Sequence, residues 1–335
     1  MYRTLLLTTA ALAIAAPSFA QELNLYSSRH YDTDERLYSD FEDATGITIN
    51  RIDGNADELI ERMVAEGANS PADVLLTVDA SRITRAESAG VLQSINSEIL
   101  ETSVPANLQD DENQWFGFSQ RARMVFFAKD RVETPPATYA ELADPAFADM
   151  VCIRSSTNTY NQTLLASIIT HEGEEAATAW AQGVVDNMAR DPQGGDTDQL
   201  RGLISGECDI AVTNSYYFAR ALRSDVDGLS GDIESIGWVF PDQDGNGTHV
   251  NISAGGVAAH APNRDNAIAF LEYLASPSAQ EYFANGNDEF PVVAGVKVGE
   301  AAASLGEFKS DEVSLAEVAA NIPLAQQIFN TVGWE

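Results

Sequence analysis

The chain has 335 residues, of which 51 are Asp or Glu and only 19 are Lys or Arg, so its net charge is −32. This balance, without a basic stripe, excludes a nucleic-acid binder, because such proteins need cations to contact the phosphates. Apolar residues make up 44% of the chain, too many for a disordered acidic protein, and the length predicts two domains rather than one.

The N-terminus has the pattern of an export signal. A short basic segment at 1–3 precedes an apolar run at 5–16, and residues 18–20 (SFA) have the small residues of a cleavage box. The apolar run is shorter than the roughly 20 residues that span a bilayer, so an uncleaved anchor is the weaker alternative. We therefore predict that residues 1–20 are a cleaved signal peptide and that the mature protein is exported.

Strands and helices alternate along the first part of the chain. The predicted strands cover 23–26, 47–52 and 73–78, and the predicted helices cover about 33–45, 55–66 and 83–89. This β-α-β-α-β order, with helices of ordinary length, is typical of a parallel α/β sheet.

A second α/β set follows residues 115–128, in which two apolar runs flank Arg121 and Arg123. Its predicted helices are 139–142, 162–170, 176–187, 199–205, 264–275 and 277–284, and its predicted strands are 151–154, 209–213 and 254–259. No low-complexity linker separates the two sets. We therefore expect the chain to cross between two lobes through strands.

The sequence gives no support to an enzyme. His171-Glu172 begins like the zinc motif HExxH but lacks the second His, and the stretch 242–253 resembles a calcium loop but ends in Ser253 instead of a Glu. The two cysteines do not form a CxxC pair, which excludes a structural zinc site. There is also no nucleophile elbow, Walker A motif or dinucleotide fingerprint.

Aromatic phenols and imidazoles occur in four segments at the ends of predicted strands. They are His30-Tyr31, Tyr160, Tyr216-Tyr217 and His249. Ligands of open α/β sheets bind beyond the carboxyl ends of the strands, where such segments lie. A single tyrosine is more often a core residue with a satisfied hydroxyl, and a tyrosine pair in a loop is a modest signal, but their joint occurrence favours a binding site.

These segments closely resemble those of periplasmic ferric-iron-binding proteins, the substrate-binding components of iron ABC transporters. The similar stretches are 25–31 (LYSSRHY), 158–162 (NTYNQ), 206–217 (GECDIAVTNSYY) and 247–253 (GTHVNIS). The resemblance covers essentially the whole mature chain. It implies an α/β fold of the two-lobed periplasmic binding-protein class (class II, transferrin-like), with the ligand in a cleft between the lobes.

The resemblance also implies the ligands of the iron. The matching positions are Tyr31, Tyr160, Tyr216 and Tyr217, with His30 as a fifth ligand or a near neighbour. No clear match exists for the glutamate that other branches of the family use with a captured anion. The tyrosine-rich branch is therefore the better fit.

The chemistry of the implied cargo agrees with these residue types. Fe³⁺ is a hard cation that prefers anionic oxygen ligands, and a bound cation favours the phenolate form of tyrosine. Four phenolates around Fe³⁺ leave a local charge of −1, which a guanidinium can balance. The candidates are Arg121, Arg123, Arg154 and Arg220, each of which has a surface salt bridge as its alternative role.

We expect a first lobe of residues 21–120 plus about 250–300, and a second lobe of residues 121–249 plus about 301–335. The predicted function is to bind ferric iron in the periplasm and to deliver it, as a monomer, to an inner-membrane ABC permease. A binding protein for an anion or a small organic solute is the alternative, and a hydrolase is a distant third.

In an oxidising compartment, Cys152 and Cys208 form either a disulfide of the second lobe or two buried thiols. We predict the disulfide, because both residues precede segments of the implied site.

Overall fold

The protein is described by a computed structural model, which covers residues 21–29 and 34–335. The strands are β1 (Glu22–Ser27), β2 (Thr48–Asp53), β3 (Val74–Thr77), β4 (Phe116–Ala128), β5 (Val151–Cys152), β6 (Ile210–Asn214), β7 (Ile236–Val239), β8 (Val250–Val257) and β9 (Phe290–Pro291). The helices are α1 (Asp34–Thr45), α2 (Ala56–Glu66), α3 (Ala80–Ser88), α4 (Glu98–Ser103), α5 (Thr159–Glu172), α6 (Glu174–Asp186), α7 (Asp196–Ser205), α8 (Ser215–Arg223), α9 (Arg264–Leu274), α10 (Pro277–Gly286), α11 (Glu300–Ala303), α12 (Leu315–Ala320) and α13 (Ile322–Val332).

The first lobe is built on the parallel strands β2, β1 and β3, to which β8 adds in the antiparallel direction. The amphipathic helices between these strands begin at side-chain caps: Asn55 accepts from the N–H of Asp57, and Asp79 accepts from that of Ser81. The apolar sides of the helices pack on the sheet. They form one core around Leu25, Leu75 and Phe270, all fully buried.

The second lobe is built on the other half of β4, which pairs with β6 and β7, while β5 lies parallel to β6. One of its cores packs α5, α6 and α13 together and contains Trp180 and Trp334, whose ring centroids are 6.1 Å apart. Its other core lies on the opposite face of the strands around Phe126 and Phe218. The cores of the two lobes thus form separately.

A single long strand connects the two lobes. The first part of β4 pairs with β8 as far as Ala122, and the part from Arg123 onward pairs with β6. The two apolar runs at 115–128 are therefore one strand of 13 residues. Its register shifts between Gly117 and Ser119, which is a β-bulge within the half of the strand that pairs with β8, ahead of the change of partner at Arg123.

The predicted order of elements matches the structure at most positions, with local differences. The stretch 139–142 belongs to a short 3-10 helix, Ala140–Ala143, and the strand predicted at 254–259 begins earlier, at Val250. No helix among the described residues is both long enough and apolar enough to cross a membrane. The proposed signal peptide lies outside the described residues.

Candidate metal centre

Three tyrosines come together because two neighbouring strands end side by side. Tyr160 lies in the first turn of α5, which follows β5, and Tyr216 and Tyr217 lie in the first turn of α8, which follows β6. Since β5 and β6 are parallel neighbours, the helices after them begin at the same edge of the sheet. Asn158 fixes the start of α5 by accepting a hydrogen bond from the N–H of Tyr160 at 3.1 Å.

The phenol groups of these tyrosines are close to one another. The hydroxyl oxygens of Tyr160 and Tyr216 are 3.4 Å apart, and the rings of Tyr216 and Tyr217 stack with centroids 4.2 Å apart. Tyr160 and Tyr216 are buried, whereas Tyr217 is half-buried. Three oxygen donors therefore converge at one place in the second lobe.

The prediction that Tyr216 and Tyr217 lie in a loop is wrong, because both belong to the helix α8. Consecutive residues of an α-helix are about 100° apart around its axis, whereas on a strand they would face opposite sides. The start of a helix therefore allows both rings to lie on the same side of the chain.

All four arginines named from the sequence surround these tyrosines. The guanidinium carbons of Arg121, Arg123 and Arg154 lie 5.9, 5.8 and 5.4 Å from the centre of the Tyr160 ring. That of Arg220 lies 5.7 Å from the centre of the Tyr216 ring. These groups are permanently charged and lie where they can balance negative charge on a ligand of the phenols.

The two arginines on β4 are buried, so a surface salt bridge does not describe them. Arg123 donates to both carboxylate oxygens of Asp196, at 3.0 and 3.1 Å, and to Asn161 at 2.9 Å. Arg121 lies 3.8 Å from a carboxylate oxygen of Glu289 and donates to Ser253 at 3.3 Å. These contacts fix both side chains behind Tyr160.

Burial raises the pKa of Tyr217 well above its ordinary value, and the neighbouring Tyr160 and Asp196 raise it further. This residue is therefore a neutral phenol at neutral pH. A trivalent cation bound among the phenols would displace such protons, as bound metals deprotonate other ligands.

A cavity of about 310 Å³ separates these tyrosines from the first lobe. Ser28, Asn55 and Arg82 line it on the first-lobe side, and Arg154 and Tyr217 line it on the other. Arg82 is not among the residues predicted from the sequence, and it lies in α3 close to the carboxyl end of β3. Its Nε is buried and has no hydrogen-bond partner among the described residues. Ligands bind beyond the carboxyl ends of strands, and this rule, which singled out the tyrosines, could also have singled out Arg82.

The predicted first-lobe ligands, His30 and Tyr31, lie outside the described residues. The residues on either side of this segment are joined by an ion pair in which Arg29 donates to the two carboxylate oxygens of Asp34, at 2.6 and 3.1 Å. Both side chains are buried. Arg29 and Asp34, which precede and follow the positions 30–33, are therefore held together.

Cys152 and Cys208 form a disulfide in the structure, with their Cα atoms 5.8 Å apart. Cys152 ends β5 and Cys208 lies just before β6, so the disulfide joins the two strands that lead to the tyrosines. Both residues are buried in the second lobe. His249, the last of the candidate residues at strand ends, lines a different cavity of that lobe.

Two α/β lobes joined by a shared strand, with polar and aromatic side chains at strand ends facing a cleft, define a two-lobed solute-binding protein. The family model for bacterial extracellular solute-binding proteins matches residues 69–309, and the chain belongs to this family. The family resemblance and the fold class that the sequence suggested are thus confirmed.

Known relatives match nearly the whole chain. Iron uptake protein A1 of Synechocystis is 50% identical over 320 residues, which are 95% of this chain and 89% of that protein. A solved structure of Trichodesmium IdiA (FutA) in complex with iron and citrate ligands has a TM-score of 0.90 at 48% identity, covering 94% of this chain and all of the other. The ferric binding protein of Campylobacter jejuni has a TM-score of 0.88 at 38% identity, covering 93% of this chain and all of the other.

Proposed function

We propose that this protein binds ferric iron in the periplasm and delivers it to an inner-membrane ABC permease. The convergence of Tyr160, Tyr216 and Tyr217 under four arginines carries the proposal. Phenolate oxygen is the ligand type that a hard trivalent cation prefers, and permanently charged guanidinium groups lie beside the phenols. The relatives named for iron uptake and ferric iron support the same cargo.

The proposed ligands come from both lobes. Tyr160, Tyr216 and Tyr217 supply three phenolates from the second lobe, and Tyr31 supplies the fourth from the first, with His30 as a further ligand or a neighbour. One of the four neighbouring arginines, Arg121, Arg123, Arg154 or Arg220, balances the charge of −1 that Fe³⁺ leaves among four phenolates. A guanidinium group stays positively charged near neutral pH, so it can balance this negative charge without taking up a proton.

We also propose the finer assignments that follow from this role. The protein is a transport component rather than an enzyme, acts as a monomer without nucleic acid, and loses residues 1–20 on export. The lobes are residues 21–120 with about 250–300, and residues 121–249 with about 301–335. The separate cores support this division, although α12 packs on helices of both lobes.

An anion or a small organic solute remains the alternative cargo. Arg82 and Arg154 line opposite sides of the cleft cavity and would suit a carboxylate. A site for such an anion alone does not need three phenols within contact distance of one another. The phenols therefore favour the metal over the anion as the principal cargo.

The test uses the variants Tyr216→Phe and Tyr217→Phe, each of which keeps the ring and removes the donor oxygen. Tyr273→Phe, in α9 of the first lobe, is the matched control. The proteins are titrated with ferric citrate, and binding is followed by the visible charge-transfer band of iron phenolate and by calorimetry.

Removal of a residue that only hydrogen-bonds to a metal ligand costs roughly 10–100-fold in affinity. We expect each site variant to lose more than this and to change or lose its colour. Tyr273→Phe should bind as the wild type does. If both site variants keep full affinity and colour, the tyrosines are core residues and the proposed iron site is wrong.

A further inference from the structure

The second lobe contains another cavity, of about 290 Å³, away from the tyrosine cleft. It lies between α5, α6, the turn at 242–247 and Asp311. Its apolar wall consists of Ile168, Trp180 and several alanines. No lysine or arginine is among the described residues that line it.

The carboxylates of three residues line this cavity and make it acidic: Glu172, Asp242 and Asp311. Asp311 pairs with the ring Nε2 of His171 at 2.8 Å and accepts from Ser167 at 3.2 Å. Asp242 accepts only a long hydrogen bond, 3.3 Å, from the N–H of Tyr139 within the described part of the chain. Burial raises the pKa of Asp242, and the charges of Glu172 and Asp311 raise it further. Among the described residues that line the cavity, three carboxylates thus stand against no lysine or arginine.

His249 adds an observation that is independent of this charge. It is 3% exposed, it lines the cavity, and neither of its ring nitrogens has a hydrogen-bond partner in the ranges 21–29 and 34–335. Burial lowers its pKa to about 4, so the ring is neutral at pH 7 and carries one free acceptor nitrogen and one N–H. Buried polar groups of native proteins are almost always paired, which points to a bound partner that the protein itself does not supply.

We propose that this cavity is a second binding site, which takes a small organic cation with an ammonium head and an apolar tail. The ammonium group would donate hydrogen bonds to acceptors of the cavity wall, which include the carboxylates of Glu172 and Asp242 and the free nitrogen of His249. The tail would contact the alanines and the Trp180 ring. The cavity is at the lower end of the usual range for ligand pockets, so the molecule must be small.

The other classes of ligand fit less well. An anion would meet three carboxylates and no fixed positive charge. A metal ion needs several ligands at one point, and the described residues contain no group of three or more His, Cys, Asp or Glu that could hold one. An ammonium group needs fewer protein partners than a metal ion, because its remaining hydrogens can bond to water.

The test uses three probes of nearly equal shape: butylammonium, butan-1-ol and butyrate. The binding of each to the purified protein is measured by calorimetry and by NMR chemical shifts. We expect butylammonium to bind at least about tenfold more tightly than the neutral or anionic probe, the ratio that one charge-assisted hydrogen bond supplies.

The paired variant Glu172→Gln with Asp242→Asn removes two charges and keeps the shape of the cavity. Asn tolerates the positive φ of 60° at position 242, so the turn should fold normally. Glu174→Gln, in the first turn of α6 and outside the cavity lining, is the matched control. Melting temperatures check that all variants are folded.

Butylammonium affinity should fall at least about tenfold in the paired variant and stay unchanged in Glu174→Gln. Equal affinity for all three probes, no detectable binding of butylammonium, or unchanged affinity in the paired variant would each overturn the proposal. The same titration in Tyr217→Phe separates the two sites. That variant should lose iron binding and keep butylammonium binding, so the failure of one proposal leaves the other testable.

Discussion

Removing the disulfide should cost the second lobe a large part of its stability. The two cysteines are separated by 56 residues, and closing a loop of this length lowers the entropy of the unfolded chain by about 14 cal/mol/K. At 25 °C this corresponds to about 4 kcal/mol of folding free energy. The pair Cys152→Ala and Cys208→Ala should therefore be less stable by this amount, because alanine leaves no buried polar group in place of the sulfurs.

The measurement is urea unfolding followed by tryptophan fluorescence. Trp180, Trp238 and Trp334 lie in the cores of the second lobe, whereas Trp115 lies in that of the first, so most of the signal reports the lobe that holds the disulfide. Wild-type protein in excess reductant is the control and should unfold at the same urea concentration as the variant. The tyrosines are not removed, so folded variant should still bind one equivalent of iron.

Two results would refute this reasoning. One is a variant whose free energy of unfolding lies within about 1 kcal/mol of the wild-type value, well below the usual 2–5 kcal/mol for a native disulfide. The other is a count of two free thiols in denatured, unreduced wild-type protein, since the disulfide would then not form in the exported chain.

Three further predictions concern charge. Burial lowers the pKa of His249 from 6.5 to about 4, so the folded protein is stabilised by the neutral ring. This stabilisation is complete above pH 6.5, and about 3 kcal/mol of it is lost as the pH falls from 6.5 to 4. The free energy of unfolding of His249→Leu, measured in urea, should lack this part of the pH dependence. Asp196→Asn leaves the buried guanidinium of Arg123 without its carboxylate and should destabilise the protein by about 3–5 kcal/mol, again by urea unfolding. Tyr217 is a neutral phenol before binding, so it must release a proton when it binds ferric iron. The apparent affinity should therefore rise about tenfold per pH unit for each phenol that is deprotonated. An affinity that calorimetry finds to be independent of pH would contradict phenolate ligation.

Much of the fold could be predicted from periodicity and turn residues. The strand predicted at 23–26 lies within Glu22–Ser27, and the helix predicted at 55–66 begins at the cap that Asn55 supplies. Strands and caps of this kind depend on residues that are close in sequence. The same local signals located Tyr160 and the tyrosine pair after strands, which is why the strand-end rule brought them together.

Other features depend on contacts between distant residues and could not be predicted in this way. Arg121 and Arg123 looked like an interruption between two apolar runs, but both are buried in β4, where partners from 70 or more residues away neutralise them. The start of α8 at the tyrosine pair was also missed, because β-branched and aromatic residues around 212–217 favour a strand or loop locally. The position of His249 in the wall of the second cavity depends on the same long-range packing.

The bulge in β4 has a consequence for how the cargo could leave. A strand bends most easily where its register shifts, and this shift lies between Gly117 and Ser119, ahead of both buried arginines. Tyr139 further ties Arg123 to the second lobe, because its hydroxyl donates to the carbonyl of Arg123 and accepts from the N–H of His249. If the lobes part at the bulge, Arg123 and the three second-lobe tyrosines move as one piece. The proposed first-lobe donors would then separate from the iron before the arginines do, so the open protein would retain its cargo on one wall, where a permease could reach it.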